Sequence, residues 1–524
     1  MNKNSHPEIG GRSAKIALIL LVIVYVFNFI DRQILSVLAE DIKADLNITD
    51  SDLGFLFGTA FAVFYAIFGL PLGKLADVWS RKKIISIGLA TWSLMTALSG
   101  TARSFFSLSV YRVGVGIGES SASPASYSLL SDYFPPKVRT TILAIYSSGV
   151  YIGAGIGLFL GGWILELWNN AYPDPSLAPF GMRGWQAAFM GVGIPGIILA
   201  FFTWQIKEPK RGMSDGIETP EHPHPFKEML NEFVGITPLA LLGSKQYKKL
   251  LGINFLIALM IVIAGYFLIL LTGDMVQWIA FGLGCYVVTC WIQSLKIRDY
   301  ATYSMIFKSK ALLFSVIGFP FLSFITYSGS AFGPAFYMRN FGVSEGEVAT
   351  VLGLTAAIAG MIGVILGGVV GDKLRQKYAN GRLYIGFVII LFAVPCNIGV
   401  LYSEKLYASY IWNFIFQLIS PMWVGIAPAL VADLVMPRMR AIAGAFYILM
   451  VSMLGLALGP YSVGLLSDTL ISQGYSDAES LKTALAASLG VLIISAATLL
   501  LACRYLPGDE STKLERAKAL GEEF

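Results

Sequence analysis

The chain is poor in the residues that most often carry enzyme chemistry or cross-links. Its 524 residues include three histidines and four cysteines, and only 14% of the residues are charged. The histidines His6, His222 and His224 all lie in polar segments. Apolar stretches therefore lack a histidine for a metal or nucleophilic site. The cysteines Cys285, Cys290, Cys396 and Cys503 lie in apolar stretches and form no disulfide framework.

Two further signals are missing. No G-x-x-x-x-G-K-[ST] segment occurs, which argues against transport driven by ATP bound to this chain. The first apolar block begins near residue 16, contains charges and has no small-residue cleavage site. We therefore expect it to be a membrane helix and not a cleavable signal peptide.

Apolar residues dominate what is present. They make up 56% of the chain, and the mean hydropathy is +0.67. They cluster in continuous blocks of about 20 residues, the length that a helix needs to cross a bilayer. Barrel strands would instead alternate apolar and polar residues. The composition predicts an all-α integral membrane protein with many spans.

The blocks predict about 14 spans, arranged as six, two and six. Residues 1–206 form a first six-helix bundle, and residues 310–506 form a second. The linker 207–309 contains an additional transmembrane hairpin at about 250–295, and residues 507–524 form a polar tail. Lysine and arginine concentrate in every second loop, so we expect both termini and the tail to be cytoplasmic.

The two sets of six spans resemble each other. Asp77 in "GKLADVWSRKK" corresponds to Asp372 in "GGVVGDKLRQK", and "SDYFPPKVR" at 131–139 corresponds to "ADLVMPRMR" at 432–440. Two related halves joined by a linker are typical of secondary transporters, which bind substrate near the middle of the membrane. The sequence therefore predicts two six-helix pseudo-repeats.

Only the first half has ionisable residues within its spans at four positions of this repeat. Asp31 and Arg32 correspond to Thr326 and Tyr327. Arg112 and Glu119 likewise correspond to Asn413 and Ser420. Charges that served the shared fold would be expected in both halves. We therefore expect a specialised task for the four charged residues.

Several motifs match a known family. "GKLADVWSRKK", "RVGVGIGES" and "GVYIGAGIGLFLGG" resemble the loop 2–3, fourth-helix and fifth-helix motifs of the major facilitator superfamily. "NFIDRQ", "RVGVGIGESSAS" with "SDYF", and "RTTILAIYSSGVYIGAGIG" are similar to its bacterial-type Spinster-like branch. The predicted hairpin departs from that family's twelve-helix plan.

The resemblance implies a transporter that works by alternating access, and not an enzyme. Animal members of the branch export sphingosine-1-phosphate or lysophospholipids, so it implies an amphipathic lipid substrate. We also expect a monomer in a bacterial inner membrane, with no cofactor, no metal and no nucleic-acid partner. We further expect a cytoplasmic gate at the loop 2–3 signature, with charged and glycine residues at Gly73, Asp77, Arg81, Asp132, Arg139, Asp372, Asp433 and Arg440. In this gate, we expect Asp77 to dock against the positive N-terminal end of a helix in the opposite half. We also expect Asp132 to pair with Arg139 and Asp433 to pair with Arg440.

The four charged residues of the first half admit two interpretations. In one, Asp31 and Glu119 bind and release the coupling protons, while Arg32 and Arg112 are their charge partners. Arg32 could also hold an anionic headgroup, because a guanidinium matches phosphate with two hydrogen bonds. In the other, the four residues form a static ion-pair network that holds the first and fourth spans together.

Polar and aromatic residues on the candidate cavity helices lie in apolar surroundings, which suits an amphipathic substrate. They are Tyr25, Asn28, Gln33, Ser123, Tyr146, Tyr151, Ser323, Thr326, Tyr327, Asn413, Gln417 and Tyr447. Alternative functions are a proton-coupled symporter of a small organic anion and an uncoupled facilitator. A lipid-acting enzyme is disfavoured, because buried serines have no base except Asp31 or Glu119. A non-transporting sensor stays open.

Overall fold

A computed structural model describes residues 8–215, 223–242, 248–436 and 439–522, and within these ranges the chain is helical without strands. His6 and His222 lie outside them. The first half contains α1 (Arg12–Val37), α2 (Ala39–Leu46), α3 (Asp50–Gly54), α4 (Ala60–Val78), α5 (Arg81–Ser99), α6 (Phe105–Glu119), α7 (Ala122–Tyr133), α8 (Pro136–Ser147), α9 (Gly149–Ala171) and α10 (Gly184–Trp204).

Four helices follow in the middle of the chain: α11 (Pro225–Gly235), α12 (Lys248–Thr272), α13 (Met275–Arg298) and α14 (Tyr300–Phe307). The second half contains α15 (Lys310–Phe341), α16 (Glu345–Lys377), α17 (Gly381–Tyr402), α18 (Leu406–Ile419), α19 (Trp423–Asp433), α20 (Arg440–Met450), α21 (Leu458–Ser472), α22 (Asp477–Ser488), α23 (Val491–Ser511) and α24 (Lys513–Ala519). The tail predicted from residue 507 is therefore partly helical.

Within the described ranges, 12 helices are long and apolar enough to cross a membrane, and they include both helices of the predicted hairpin. The third and fourth predicted spans, at about 84–102 and 105–134, are not among them. Helix α5 begins with three basic residues, and the fourth block is divided at Ser120 and Ser121 into α6 and α7. The all-α membrane fold is thus confirmed, while the count of about 14 spans stays a prediction.

The described chain divides into two compact units that do not coincide with the two sequence halves. One unit contains Met1–Ile48, Phe64–Phe233 and Val343–Ala357. The other contains Thr49–Val63, Val234–Gly342 and Ile358–Phe524. The start of the second predicted span therefore belongs with second-half helices, and the start of α16 belongs with first-half helices.

Small residues set the position of α1 in the first unit. The glycines of α9 that recur every four residues face α1. A Cβ atom at Gly157 would lie 2.8 Å from the Cα atom of Ile30, and one at Gly153 would collide with the carbonyl of Val26. Only glycine permits so close an approach of two helix backbones. This packing fixes the part of α1 that carries Asp31 and Arg32.

Two π-helical segments interrupt spans in the second unit. They are Phe55–Thr59, between α3 and α4, and Val451–Ala457, between α20 and α21. They contact each other, since the Thr59 hydroxyl donates a hydrogen bond to the Ala457 carbonyl at 3.0 Å. Gly58 packs directly against the Leu456 carbonyl. Single π-helical turns recur at functional sites.

Residues 206–214, which follow α10, form a strap across one end of the first-half helices. Arg211 donates to the carbonyls of Ala76 and Trp79, at the end of α4. The Gly212 amide donates to the Asp132 carboxylate at 3.0 Å. The Ser214 hydroxyl donates to the carbonyl of Ser131 at 2.7 Å. The ordered first half therefore continues past residue 206, the predicted boundary.

Candidate functional site

The four first-half charges lie on two helices of the first unit. Asp31 and Arg32 are in α1, and Arg112 and Glu119 are in α6. Asp31, Arg112 and Glu119 are each at most 1% exposed. Adjacent residues of a helix point about 100° apart, so Asp31 and Arg32 meet different neighbours. The structure brings all four residues into one buried group.

Arg32 is paired with Glu119. Its Nε atom lies 2.5 Å from Oε2 of Glu119. The guanidinium carbon also lies 4.9 Å from the ring centre of Phe29 and 5.0 Å from that of Tyr65. Aromatic faces stabilise a desolvated cation. Arg32 keeps 19% of its side chain exposed, while Glu119 keeps none. The cation is therefore the accessible member of this pair.

Asp31 has a different environment. The main-chain carbonyl of Asp31 accepts a hydrogen bond from Nη1 of Arg112 at 3.1 Å. The Asp31 carboxylate faces Arg112 together with Thr96 and Trp92 of α5. Both carboxylate oxygens are buried, and neither has a hydrogen-bond partner among the described residues. A buried carboxylate without hydrogen bonds is costly when ionised and unpaired.

Aromatic side chains form a wall beside these charges. The rings of Tyr25 and Tyr146 stack with centres 4.4 Å apart, and Tyr127 meets Tyr146 edge-on at 5.3 Å. Ser123 lies beside the hydroxyls of Tyr25 and Tyr146. The Tyr146 hydroxyl is buried without a partner in the described ranges. The wall is apolar in area but has hydroxyl groups at its edge.

Three other first-half candidates have mixed positions. Asn28 is 2% exposed and lies beside Glu119, with an amide oxygen that lacks a partner among the described residues. Gln33 donates to the Ser36 hydroxyl at 3.3 Å within α1. Tyr151 is half-buried in α9. Asn28 is thus the candidate placed directly at the charges.

The second-half candidates divide into two groups. Ser323 and Thr326 donate to carbonyls of their own helix, at Pro320 and Leu322. Tyr327 and Gln417 are half-buried, and Tyr327 lies beside the hydroxyl of Tyr447. The second group consists of Asn413 and Tyr447. The Nδ2 atom of Asn413 and the Tyr447 hydroxyl are buried and lack hydrogen-bond partners within the described ranges.

Sequence reasoning did not select several polar groups that belong in this description. Trp92 and Thr96 face Asp31, and Tyr65 covers Arg32. In the second half, the Trp423 indole nitrogen and the Ser420 hydroxyl are buried without partners among the described residues. Tryptophan in an apolar stretch gives no sign of whether its N–H is satisfied. Only the three-dimensional arrangement identifies these groups.

At the predicted gate of the first half, Arg81 is the central residue. Its guanidinium pairs with Asp132, and its Nε atom lies 3.1 Å from Oε1 of Glu208. It also donates to the carbonyls of Ser128 and Pro209, at 3.2 and 3.0 Å. Arg81 is 0% exposed. Arg81 therefore connects the start of α5 to the strap and to the end of α7.

The second half repeats the arginine–aspartate pair of this cluster 301 positions later. Arg382 pairs with Asp433 and lies 2.9 Å from Oδ1 of Asp372. Arg440, the partner predicted for Asp433, instead donates its Nε proton to the Ala432 carbonyl at 3.3 Å. Asp433 is already paired with Arg382, because Arg382 stands at the position of the repeat that corresponds to Arg81. The side chain of Arg139 lies outside what the structure describes.

Gly73 and Asp77 lie near the end of α4. Asp77 is exposed, and the cationic side chains that act on it electrostatically are Arg211, Lys74 and Arg81. Nothing lies within 4 Å of the position that a Cβ atom would take at Gly73. The predicted docking of Asp77 onto a helix of the opposite half stays a prediction. Among the described residues, no group of three His, Cys, Asp or Glu side chains is placed to hold a metal ion.

Comparison with known proteins identifies the family. Residues 21–460 match the family model of the Major Facilitator Superfamily. An "MFS-type efflux pump" of Mycolicibacterium smegmatis is 26% identical over 461 residues, which cover 88% of this chain and 86% of that protein. The "Sphingosine-1-phosphate transporter SPNS2" of Danio rerio is 24% identical, with coverage of 87% and 76%. "Protein spinster" of Drosophila melanogaster is also 24% identical, and the match covers 63% of that protein.

A solved structure gives the same result for the fold. A bacterial homologue of the human lysosomal transporter Spinster, in an inward-facing and unoccupied conformation, superimposes with a TM-score of 0.72. The two chains are 25% identical, and the match covers 95% of this chain and 98% of the homologue. The chain belongs to the major facilitator superfamily and is a Spinster-like membrane transporter, not an enzyme.

Proposed function

We propose that the protein is a proton-coupled secondary transporter that moves amphipathic lipids, of lysophospholipid or sphingoid type, by alternating access. One observation carries the proposal. The Asp31 carboxylate is fully buried, accepts no hydrogen bond from the described residues and faces Arg112. Such a group is either neutral or compensated by its arginine, so proton binding changes its partners.

The coupling step follows from these contacts. When Asp31 is ionised, Arg112 is its counter-charge, and α1 and α6 are drawn together. When Asp31 takes up a proton, this attraction is lost and Arg112 becomes available to another anion. The neighbouring carboxylate of Glu119 is held by Arg32, so protonation of Glu119 would release Arg32 in the same way. Asp31 and Glu119 are therefore the proposed proton-binding residues.

Arg32 is the proposed headgroup contact. It is the most exposed of the four charges, and its guanidinium is already flanked by two rings. A phosphate that replaced Glu119 would gain charge-assisted hydrogen bonds from the same guanidinium. The stacked tyrosines Tyr25 and Tyr146 offer apolar area for the adjoining part of a lipid. The name of the Danio rerio relative, a sphingosine-1-phosphate transporter, supports this substrate class.

We also infer that both termini face the cytoplasm of a bacterial cell whose inner membrane holds the protein as a monomer. The concentration of lysine and arginine in every second loop supports this topology. In that orientation, the Arg81 and Arg382 clusters lie at the cytoplasmic ends of the helices. Labelling of single cysteines from outside intact cells tests the orientation. A cysteine in the loop 172–182 should react, and one in the tail should not.

A liposome experiment tests the function. Purified protein is reconstituted into liposomes that contain a pH-sensitive dye, and a lysophospholipid, sphingosine-1-phosphate, a small organic anion or a sugar is added. We expect proton flux driven by the lysolipids or by the sphingoid phosphate. The Asp31→Asn and Glu119→Gln variants should abolish that flux. Asp174→Asn, a change in an exposed loop, serves as the matched control and should transport normally.

Each remaining outcome identifies a different function. Flux driven only by the small anion would retain the two carboxylates and overturn the lipid substrate. Transfer of labelled lipid without proton flux would make the protein an uncoupled facilitator. Full pH-dependent transport by both carboxylate variants would contradict the coupling site and leave the four charges as a static network.

A further inference from the structure

The hairpin α12–α13 lies along the span Arg440–Ser472, which contains α20, the second π-helical segment and α21. At its tip, Asp274 accepts a hydrogen bond from the Tyr461 hydroxyl at 2.6 Å. The ring of Trp278 meets that of Tyr461 edge-on, with centres 5.4 Å apart. Trp278 in turn donates its indole proton to the Thr272 hydroxyl at 2.8 Å. The tip is therefore tied to the first turn of α21 by a polar bond and an aromatic contact.

The same side of α13 continues along that span toward its other end. A Cβ atom at Gly284 would lie 2.6 Å from Cε of Met453, in the π-helical segment, and 3.3 Å from Cγ1 of Val63 in α4. Near the far end of α13, Trp291 stacks on Phe446 of α20 with centres 6.1 Å apart. Helix α13 thus follows α21, the π-helical segment and α20 over most of its length.

The middle of α13 lies over a seam, which is the contact between the two π-helical segments. At this seam, Thr59 bonds to Ala457 and Gly58 packs on Leu456. Val63 belongs to one side of the seam and Met453 to the other, and both contact α13 at Gly284. One helix therefore bridges the two spans at the level where they meet.

Helix α12 is the outer layer. In the most apolar stretch of 18 residues within Leu250–Thr272, no residue is buried. In the corresponding stretch of α13, 28% of the residues are buried. A polar clamp holds α12 to α13. Asn254 donates to Oε1 of Gln293 at 2.8 Å, and the Tyr286 hydroxyl donates to Oδ1 of Asn254 at 2.9 Å. Such bonds join helices within a membrane.

The first unit contains a second junction between helices of different halves, formed by α9 and the start of α16. A Cβ atom at Gly155 would lie 2.5 Å from the Gly353 carbonyl and 2.8 Å from Cβ of Ala357. Large side chains beside this junction are exposed, with Phe159 at 44% and Leu354 at 58%. At the π-helical seam, by contrast, Val63 is 0% exposed and Met453 is 4% exposed.

We propose that the hairpin is a partition that seals the π-helical seam against the bilayer, so that an amphipathic lipid enters beside α9 and α16. The sealing stands on the contacts of α13 with both sides of the seam. The identity of what enters rests on the proposed function. A lipid that approached from the hairpin side would have to displace Gly284 from Met453, and also the bond between Asp274 and Tyr461.

Photolabelling in liposomes tests this inference. The protein is reconstituted in phosphatidylethanolamine and phosphatidylglycerol with a lysophosphatidylcholine that has a diazirine on its acyl chain. After irradiation, labelled residues are mapped by mass spectrometry. We expect label on peptides that contain Phe159 and Leu354 and on α12. Peptides that contain Val63 and Met453 should have severalfold less label.

Two matched variants separate the partition from general lipid exposure. Gly284→Phe places a ring where even a Cβ atom would be 2.6 Å from Met453, and it should lift α13 and expose Met453 to label. Gly265→Phe makes the same change on α12, where nothing lies within 4 Å, and should leave the pattern unchanged. Tyr461→Phe, which removes only the hydroxyl that bonds to Asp274, offers a milder loosening if Gly284→Phe does not fold.

The possible results are distinct. Equal labelling of the Met453 and Phe159 peptides in the native protein would overturn the partition. No change in either loosening variant would also overturn it. Labelling needs only a lipid in the bilayer, so it does not depend on transport. If the expected pattern occurs but no lysolipid is transported in the dye-loaded liposomes, the proposed function fails and the sealed seam stands.

Discussion

Asp50 and Arg339 form a bidentate ion pair between the start of the second predicted span and the end of α15. Nη1 and Nη2 of Arg339 each lie 2.7 Å from a carboxylate oxygen of Asp50. The Ser467 hydroxyl donates to the same carboxylate at 2.7 Å. Asp468 accepts the amide protons of Asp50 and Ser51, at 2.9 and 2.7 Å. Three spans from both sequence halves therefore meet at one buried carboxylate.

Loss of this ion pair should destabilise the protein. Arg339→Gln leaves the Asp50 carboxylate, which is 0% exposed, without its counter-charge. Breaking a buried pair in this way costs about 3–5 kcal/mol. We expect a clear fall in the temperature of unfolding in detergent. Arg183→Gln is the control, because Arg183 pairs with Asp45 while 53% of its side chain is exposed. An equal fall in both variants would contradict the prediction.

The duplicated arginines should differ in importance. Arg81 is fully buried between Asp132 and Glu208, whereas Arg382 keeps 16% of its side chain exposed and its partners are more open. Arg81→Gln leaves two carboxylates without compensation, so we expect a loss of about 3–5 kcal/mol. Arg382→Gln should cost about 1 kcal/mol or less. Thermal unfolding of the two variants measures this. Similar losses would show that the two halves use the motif equally.

Tyr65 should affect substrate binding through Arg32. Tyr65→Leu removes one ring from the guanidinium and keeps all four charges. Arg32 is partly exposed, and a cation–π contact at an exposed site is worth about 0.5–1 kcal/mol. We therefore expect KM for the lysolipid to rise by about two- to fivefold, with little change in kcat. Tyr407→Leu removes an exposed ring beside Lys405 and should leave KM unchanged. A fall in kcat alone would contradict this account.

The hairpin tip should loosen as the pH rises. Burial raises the pKa of the Asp274 carboxyl, and the hydrogen bond from Tyr461 opposes this rise only in part. The native tip therefore binds a proton more tightly than the unfolded chain does. Its stability is greatest below the ordinary pKa of an aspartate, about 3.9, and decreases as the pH passes through the raised value.

Hydrogen exchange of residues 270–278, corrected for the intrinsic effect of pH, measures this change. We expect protection to fall with rising pH in the native protein. Asp274→Asn retains an oxygen that can accept the Tyr461 proton but cannot ionise, so its protection should be independent of pH. A pH-dependent loss in that variant equal to the native loss would assign the effect to another group.

Sequence patterns predicted most of the architecture, because bilayer-length apolar blocks and basic loops have direct physical causes. The repeat also located Asp31, Arg32, Arg112 and Glu119, because the sequence shows charged residues in the first half where the corresponding positions of the second half are neutral. The division of the fourth block at Ser120 was not predicted. The sequence did contain a signal, because residues 119–123 are mostly polar and Pro124 stands in the first turn of α7, where a helix tolerates proline.

The gate shows a different kind of miss. Asp433 was expected to pair with the nearby Arg440, but its partner Arg382 stands 51 positions away along the chain. Sequence distance cannot rank such partners. The repeat could have ranked them, because Arg382 stands 301 positions after Arg81 and Asp433 stands 301 positions after Asp132. The π-helical segments gave no sequence signal, since their unusual winding accompanies backbone contact between distant spans.

The strap at residues 206–214 has a consequence for dividing the gene. Its bonds to Ala76, Trp79 and Asp132 finish the edge of the first six helices, so these residues belong to that half as fully as α10 does. Two co-expressed polypeptides divided after Asp215 should each retain the contacts made within their own half. A division at residue 206 would instead leave the Arg81 guanidinium without Glu208 and Pro209. The contacts of the first half therefore continue for at least eight residues beyond residue 206.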